Sequence, residues 1–216
     1  MLAFENYQKF YGAYQVLVLG NFEIDHGVYW IQGENGSGKT TFLKTIAGLQ
    51  NFGGDIVLDQ VFSIKKNPIK FRQRVNFAEA EPVFPVFLTG LELISFFASA
   101  KKAPEGQVRV LSEALNLHHY IKAPISTYSS GMLKKLSLML AFLGSPRLIL
   151  LDEPLITLDT AAIEVLYSWI RDKHEKEQVG FLITSHQSLA LGNHFKTKKL
   201  IVENRTVKET QPCFHP

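Results

Sequence analysis

Residues 30–44, WIQGENGSGKTTFLK, place a glycine-rich loop between an apolar segment and a segment with helical spacing. Gly33 to Thr40 match the pattern G-x-x-x-x-G-K-[ST], in which glycines let successive backbone N–H groups point at phosphate oxygens. The lysine of the pattern adds a side-chain cation, and the start of the following helix adds the positive end of its dipole. The stretch therefore predicts a strand, a phosphate-binding loop and a helix, in that order.

The composition is that of one globular domain. The chain has 216 residues, 46% of them hydrophobic, and a formal net charge of +3, so it can fill one core and shows no sign of disorder or of a nucleic-acid partner. Its single cysteine, Cys213, has no partner for a disulfide, which favours a reducing compartment. No export signal and no bilayer-spanning apolar run is visible. We expect a single cytoplasmic domain over residues 1–216.

The segments before the loop predict strands. Residues 2–32 are rich in valine and aromatic residues and are broken at Gly12, Gly20 and Gly27, which is typical of a small antiparallel sheet leading into a core strand. Thr40 to Leu49 have helical spacing. The five basic residues within residues 63–74 predict a polar, solvated connection before a short strand at residues 75–78.

The second half of the chain predicts a helical insertion and further buried strands. Three stretches with helical periodicity lie between Thr89 and Leu143, so we place an inserted helical segment at approximately residues 88–145. RLILLDEP at 147–154 and VGFLITSHQ at 179–187 predict buried strands on either side of an amphipathic helix. Strands that alternate with helices indicate a mostly parallel sheet with helices on both faces.

Polar residues follow the predicted strands at positions suited to phosphate chemistry. Lys39 is expected to bridge the β- and γ-phosphates of a nucleotide, Thr40 to ligate Mg²⁺, and Thr41 to donate to the α-phosphate. Asp152, at the end of a buried strand, is expected to hold Mg²⁺, with Glu153 turned toward an attacking water. These residues predict a nucleotide hydrolase.

His186 comes directly after the buried strand in VGFLITSHQ. The carboxyl ends of parallel strands form the crevice in which such sheets bind ligands. We therefore expect His186 to contact the γ-phosphate, with Lys39, Glu153 and His186 as the catalytic residues.

The ordered motifs resemble those of ABC-transporter ATPase subunits. They are Tyr-Gly at 11–12, GENGSGKTT at 33–41, YSSGM at 128–132, LILLDEP at 148–154, ITLD at 156–159 and TSH at 184–186. The resemblance covers nearly the whole chain and implies an α/β fold: a P-loop NTPase core with a mostly parallel sheet, an N-terminal antiparallel β-subdomain and an inserted helical subdomain. It also implies a head-to-tail dimer in which each nucleotide is shared between two subunits.

The resemblance implies a role for each residue of these motifs. Tyr11 would stack on adenine, with Tyr7 and Tyr14 as alternatives, and Ser129 and Gly131 would reach the partner's γ-phosphate. Asp159 would lie at the dimer interface near the partner's glycine loop. The ATP-binding residues implied are Tyr11, Gly33, Glu34, Asn35, Gly36, Ser37, Gly38, Lys39, Thr40, Thr41, Ser129, Gly131 and Asp159, and the Mg²⁺ ligands are Thr40 and Asp152.

Three features depart from the usual pattern of the family. Ala80 stands where a glutamine usually links Mg²⁺ and the attacking water to the membrane partner, and Glu79, Glu81 or a water is an alternative ligand. The signature reads Ser-Ser-Gly-Met rather than Ser-Gly-Gly-Gln, as in ATPases of antibiotic-peptide and drug exporters. The minimal length and the stretch TSHQSLAL at 184–191 also resemble haem-exporter ATPase subunits.

The interpretation is an ATP hydrolase that drives a separate membrane permease, dimerises with itself or a related subunit, and lies at the inner face of the membrane. The permease is expected to dock on the aromatic-rich segment 84–97, for which subdomain core is the alternative. A nucleotide-dependent switch with little hydrolysis is a rival function. A soluble ATPase acting on ribosomes or DNA is a second rival, although such proteins usually have two domains or an inserted coiled coil.

Overall fold

The computed structural model describes residues 1–186 and 197–210. Cys213 and the continuation of TSHQSLAL after His186 lie outside these residues. The strands are β1 (Leu2–Tyr11), β2 (Tyr14–Leu19), β3 (Phe22–Ile24), β4 (Val28–Gln32), β5 (Gly53–Leu58), β6 (Phe62–Ser63), β7 (Val75–Ala78), β8 (Leu148–Leu151), β9 (Gly180–Thr184), β10 (Thr197–Glu203) and β11 (Thr206–Thr210). The helices are α1 (Lys39–Ile46), α2 (Pro68–Arg74), α3 (Gly90–Ala100), α4 (Gln107–Ala114), α5 (Ser130–Ala141) and α6 (Thr160–Glu177).

A six-stranded sheet in the order β11-β10-β4-β9-β8-β7 forms the centre of the molecule. All neighbours are parallel except the β10–β11 hairpin. Leu148 and Leu150 of β8 pack on one face of the sheet, whereas Ile149 and Leu151 pack on the other, as the two-residue period of a strand requires. This explains why β8 reads as a continuous apolar run.

A second, antiparallel sheet covers one face of the central sheet. Its order is β2-β1-β5-β6, and β3 also pairs with β1. The aromatic rings of Phe4, Tyr7 and Phe42 meet between this sheet and α1, with Phe4 and Phe42 stacked at a centroid distance of 5.3 Å. The predicted N-terminal antiparallel sheet is confirmed, and its core fixes α1 directly behind the glycine loop.

Helices α3 to α6 cover the opposite face. Residues of α5 and α6, among them Leu138, Leu166 and Ile170, share one core with Ile149 and Phe181 of the central sheet. The buried amide of Asn76, on β7, donates to the carbonyl oxygens of Ala141 and Leu143, each at 2.8 Å. Because the last carbonyls of a helix have no partner within it, Asn76 fixes the C-terminal end of α5 to the sheet.

The expected fold class, an α/β P-loop NTPase core, is confirmed. The helices α3 to α5 fall inside the predicted insertion, and its definition as a subdomain of residues 88–145 stays a proposal. The bounds of other elements differ from the sequence prediction. Helix α1 ends at Ile46 rather than Leu49, because Gly48 has a φ of 73° and leaves the helical conformation.

The polar connection predicted at residues 63–74 contains a helix, α2, which is a correction. Pro68 is at the start of α2, where its fixed φ suits a helix and its missing N–H costs nothing. Phe71 is fully buried and anchors the helix, while Lys65, Lys66 and Lys70 are exposed. The prediction that these charges are solvated is therefore confirmed, although the local structure was wrong. Within the described ranges, no helix has the length and apolar character needed to cross a bilayer.

Replacing Asn76 with leucine, which has a similar shape, should destabilise the fold without changing its architecture. The substitution leaves two buried carbonyl oxygens without donors, and a loss of about 1–3 kcal/mol in the free energy of unfolding is expected. Urea denaturation would measure it. Asn51→Leu, at an exposed position, is the control and should change the free energy by less than about 0.5 kcal/mol; equal effects would contradict the role of Asn76.

Candidate functional site

A cleft of about 310 Å³ opens at the edge where β4, β8 and β9 end. Since these strands are parallel, the residues that follow them meet at this edge. The predicted residues that line the cleft are Tyr11, Asn35, Gly36, Gly38, Lys39, Thr40, Thr41, Asp152, Glu153 and His186, and Tyr14 and Val16 line it as well. Gly33, Glu34 and Ser37 line an adjoining cleft of about 640 Å³ together with Asn35 and Gly36.

The glycine loop has a conformation that side chains would not allow. A Cβ atom on Gly33 would lie 2.5 Å from the carbonyl oxygen of Val202, on β10. Gly38 has a φ of 105° directly before α1, a region that L-residues rarely enter. The ammonium of Lys39 donates to the carbonyl oxygens of Gly33 and Glu34 at 2.7 and 2.9 Å. Binding of phosphate would exchange these acceptors for phosphate oxygens.

The buried hydroxyl of Thr184 connects the Asp152 carboxylate to the backbone of Glu153. Thr184 Oγ1 donates to Asp152 Oδ1 at 2.7 Å and accepts the backbone N–H of Glu153 at 2.9 Å. Glu153 has a φ of 43°, which is uncommon for a residue with a side chain and marks a locally strained backbone. Thr184 therefore fixes both the Asp152 carboxylate and the turn that carries Glu153.

His186 lies beside Glu153, as the sequence predicts for residues at the ends of neighbouring parallel strands. The backbone N–H of His186 donates to Glu153 Oε2 at 3.2 Å, and its ring Nε2 lies 3.5 Å from Oε1. The Glu153 side chain is 13% exposed, whereas that of His186 is 55% exposed. The arrangement orients a buried carboxylate next to an accessible imidazole at the cleft.

Three buried polar atoms at the site have no hydrogen-bond partner among the described residues: Ser37 Oγ, Asp152 Oδ2 and Glu153 Oε1. Buried polar atoms usually have a hydrogen-bond partner, so three such atoms close together indicate a place for a polar ligand. A hydroxyl and two carboxylate oxygens beside Lys39 and Thr40 fit a phosphate with a divalent cation, since Mg²⁺ prefers oxygen ligands. The predicted residues therefore suit ATP and Mg²⁺.

The three candidate tyrosines have different environments. Tyr7 is fully buried and its hydroxyl bonds to Thr45 Oγ1 at 2.8 Å, so its ring cannot meet a nucleotide base. Tyr11 is half-exposed, and its hydroxyl donates to Gln50 Oε1 at 2.8 Å. Tyr14 is more exposed and also lines the cleft. The structure thus excludes Tyr7 and leaves Tyr11 and Tyr14 at the cleft.

The signature residues lie elsewhere on the chain's surface. Ser129, Gly131 and Asp159 are not among the residues that line either cleft. Ser129 caps α5, since its Oγ accepts the N–H of Met132 at 3.3 Å. Asp159 caps α6 and pairs with Lys135; hydrogen bonds from Lys135 and from the N–H of Ala162 lower the pKa of Asp159. One chain does not bring these residues to its own glycine loop.

The segment after β7 carries Ala80 at the position of the usual glutamine. The carboxylate of Glu79 pairs with Lys44 of α1, so this alternative ligand is already neutralised. Lys134 of α5 is almost fully buried and donates to the carbonyl oxygens of Glu79, Ala80 and Asp152. Burial lowers the pKa of Lys134 to about 8. The smaller, opposite effect comes from nearby negative charges, which raise this pKa: Asp152, Glu153, Glu79 and Glu81.

Sequence reasoning missed Thr184 and Lys134. Thr184 appears only as one polar residue at the end of an apolar strand, and Lys134 as one of two lysines in a helix. The sequence did offer one signal for Thr184, because Thr184 ends a predicted strand next to the one that precedes Asp152. It offered no signal for Lys134, because lysines in helices usually face water.

A profile of the ABC transporter family matches residues 20–156. The putative ABC transporter ATP-binding protein AlbC of Bacillus subtilis (strain 168) is 32% identical over 86% of this chain and 80% of its own length. This chain belongs to the ABC transporter family. It is an ATP-binding subunit of a transporter, with ATP hydrolase activity.

Further relatives agree with this assignment. The cytochrome c biogenesis ATP-binding export protein CcmA of Legionella pneumophila (strain Lens) is 32% identical over 76% of this chain and 82% of its own length. A solved structure of an ATP-binding subunit of an ABC transporter superposes with a TM-score of 0.86 at 26% identity, covering 98% of this chain and 90% of that one. The dimeric ATP-binding cassette MJ0796 bound to ADP and Pi shares the fold, with a TM-score of 0.80 at 20% identity over 98% of both chains.

Thr184→Val tests the connection between the Asp152 carboxylate and the backbone of Glu153. Valine keeps the shape but removes both hydrogen bonds, so turnover should fall about tenfold, as for other residues that orient metal ligands. A phosphate-release assay would measure turnover and thermal unfolding would measure stability. Thr45→Val, which removes another buried hydroxyl bonded to Tyr7 and to the Phe42 carbonyl, is the control; it should lower stability and leave turnover unchanged. Equal turnover in both variants would disprove the role of Thr184.

Proposed function

We propose that the chain binds ATP with Mg²⁺ at its glycine loop and completes the site by head-to-tail association with a second ATPase subunit, either a copy of itself or a related chain. The observation that carries this proposal is the separation of two residue sets. Lys39, Thr40 and Asp152 line one cleft, whereas Ser129 and Gly131 lie outside it. A second subunit is the means by which these sets would enclose one nucleotide.

The residues of the cleft have distinct roles in this proposal. Lys39 binds the β- and γ-phosphates, and Thr41 donates to the α-phosphate. Thr40 and Asp152 hold Mg²⁺, which neutralises phosphate charge when bound. Gly33, Glu34, Asn35, Gly36, Ser37 and Gly38 form the cradle of backbone N–H groups around the phosphates, and Tyr11 stacks on the base, with Tyr14 as its competitor.

Glu153 accepts the proton of the attacking water, and His186 stabilises charge on the γ-phosphate. The contacts between Glu153 and His186 support hydrolysis rather than a non-hydrolysing switch, because they place a base and a donor at the same cleft. Ser129 and Gly131 donate to the partner's γ-phosphate from the start of α5, and Asp159 lies at the interface near the partner's glycine loop.

We also propose that the chain works at the inner face of the membrane through a separate permease. The docking surface that we propose consists of five exposed apolar residues: Val83, Val86, Phe87, Leu91 and Phe96. Phe87 is 81% exposed and Phe96 is 68% exposed, which is unusual for large apolar side chains so close together in the sequence. Phe84 and Leu88 pack against the core instead. Part of segment 84–97 is therefore available for docking, and part of it is core.

The docking surface has a fixed backbone. The carbonyl oxygens of Val86 and Leu88 accept the N–H groups of Ser126 and Ile125 at 3.2 and 2.8 Å. Thr89 and Glu92 form a capping box at the start of α3. An apolar surface that is already ordered loses little conformational entropy when a partner binds, and an amphipathic cytoplasmic helix of the permease is the partner that we propose.

Glu153→Gln tests the composite site. The glutamine keeps the shape of the side chain but cannot accept a proton, so turnover should fall by a factor of about 100 or more. ATP binding persists, and because ATP then stays intact it should hold two subunits together. Size-exclusion chromatography with ATP and Mg²⁺ should show a dimer for Glu153→Gln and mainly monomer for the unmodified chain.

The second variant of this test adds Ser129→Arg to Glu153→Gln. A bulky side chain at the start of α5 would occupy the place of the partner's γ-phosphate, so this double variant should stay monomeric while still binding ATP. Retention of the dimer in the double variant, or its absence in Glu153→Gln, would contradict the head-to-tail arrangement.

The docking surface is tested by the double substitution Phe87→Ser and Phe96→Ser. The variant should lose co-purification with the permease after co-expression, because it lacks the two most exposed aromatic side chains of the surface. Its ATP turnover in isolation should be unchanged. Val110→Ser removes a 57% exposed residue of α4 and is the control, which should still co-purify. Normal co-purification of the double variant would place the permease elsewhere.

A further inference from the structure

Lys134 has an unusual environment for a lysine, because it lies on the buried part of α5. Its side chain is 1% exposed, and its ammonium donates to three backbone carbonyl oxygens: Glu79 at 3.0 Å, Ala80 at 3.0 Å and Asp152 at 3.1 Å. An ammonium has three donors, so all of them are used. The charge is buried but fully hydrogen-bonded, which is the condition under which a protein tolerates it.

The three acceptors show which parts of the backbone the Lys134 ammonium connects. Glu79 and Ala80 are consecutive, and their two carbonyl dipoles converge on one point, an arrangement that is unfavourable without a cation between them. Asp152 is the first residue after the neighbouring strand β8. Its backbone N–H donates to the carbonyl oxygen of Ala78, the last residue of β7, at 2.9 Å. Lys134 therefore continues the connection between β7 and β8 beyond the end of their ladder.

The same segment is also fixed from the other side. The Glu79 carboxylate pairs with Lys44 of α1, the helix that begins at the glycine loop. Lysines from two helices thus hold residues 79–80, one through the side chain of Glu79 and the other through the backbone. The side chain of Ala80 contributes no polar atom to this arrangement.

We propose that Lys134 is a positioning residue, which fixes residues 79–80 against the Asp152 backbone and so holds Asp152 in place at the cleft. The inference rests on the proposed function, because Asp152 is the Mg²⁺ ligand there. It explains how an ATPase with Ala80 keeps the segment after β7 in a defined place beside the cleft. Lys134 itself touches neither nucleotide nor cation in this arrangement.

Two substitutions remove the charge of Lys134 and with it the bonds from its ammonium to the three carbonyl oxygens. Lys134→Met keeps the length of the side chain and removes every donor. Lys134→Gln keeps two N–H donors without the charge, and it carries the test if the methionine variant does not fold. In both, the Mg²⁺ concentration that gives half-maximal turnover should rise about tenfold, the range found for residues that support metal ligands. The affinity for ATP measured in EDTA should stay within about twofold, since the phosphate cradle is intact.

Lys101 offers a matched control. Lys101 is a partly buried lysine whose ammonium likewise donates to backbone carbonyls, those of Arg72 and of Val75 at the start of β7. Burial lowers its pKa to about 8, as it does for Lys134. Lys101→Met should therefore reduce thermal stability as Lys134→Met does, but it lies at the opposite end of β7 and should leave the Mg²⁺ requirement unchanged.

A measurement without nucleotide tests the position of the segment directly. Hydrogen exchange of the peptide that covers residues 78–84 should be faster in Lys134→Gln than in the unmodified chain, and unchanged in Lys101→Met.

The outcomes distinguish this inference from the proposed function. If Lys39→Ala and Glu153→Gln abolish turnover but Lys134→Gln leaves both the Mg²⁺ requirement and the exchange of residues 78–84 unchanged, the inference is wrong and the ATPase assignment stands. Equal changes in Lys101→Met would also overturn it, since they would show a general loss of stability. If Glu153→Gln hydrolyses ATP normally, the proposed function fails, and faster exchange in Lys134→Gln would then support a structural role alone.

Discussion

The parallel pairing of β4, β9, β8 and β7 is the constraint on which the site depends. It places the ends of all four strands at one edge, so the glycine loop, Asp152, His186 and the segment that contains Ala80 become neighbours although they are far apart in the sequence. The strands themselves are buried on both faces and carry no polar side chain that reacts. The chemistry is therefore concentrated in the loops and the helix start that follow the strands, and the register of the sheet sets the distances between them.

This constraint also explains how much the sequence predicted. The glycine loop, Asp152, Glu153 and His186 each follow an apolar run, so the pattern indicated both the strand and the functional residue. Helix α2 was missed because its basic residues obscured a single buried anchor, Phe71. Thr184 and Lys134 were missed because each acts through a contact between elements that are distant in the sequence, and no local pattern reports such a contact.

The two carboxylates after β8 show how the fold orients a site before any ligand binds. Asp152 and Glu153 are adjacent, and like charges at this distance repel each other. The Thr184 hydroxyl donates to one and accepts the backbone N–H of the other, while the backbone N–H of His186 donates to Glu153. The positive φ of Glu153 separates the directions of the two side chains. The local strain is thus held by hydrogen bonds from Thr184, at the end of the neighbouring strand β9, and from His186, two residues later.

Helix α5 is attached to the central sheet near both of its ends. Asn76 holds the carbonyls of Ala141 and Leu143 at the C-terminal end, and Lys134 holds the carbonyls that follow β7 and β8 near the N-terminal end. Ser129 and Gly131 begin the same helix. A helix attached at two points moves as a rigid element with the strands that hold it. A force that a second subunit applied to Ser129 and Gly131 would therefore be transmitted to the backbone of Asp152 through the buried side chain of Lys134.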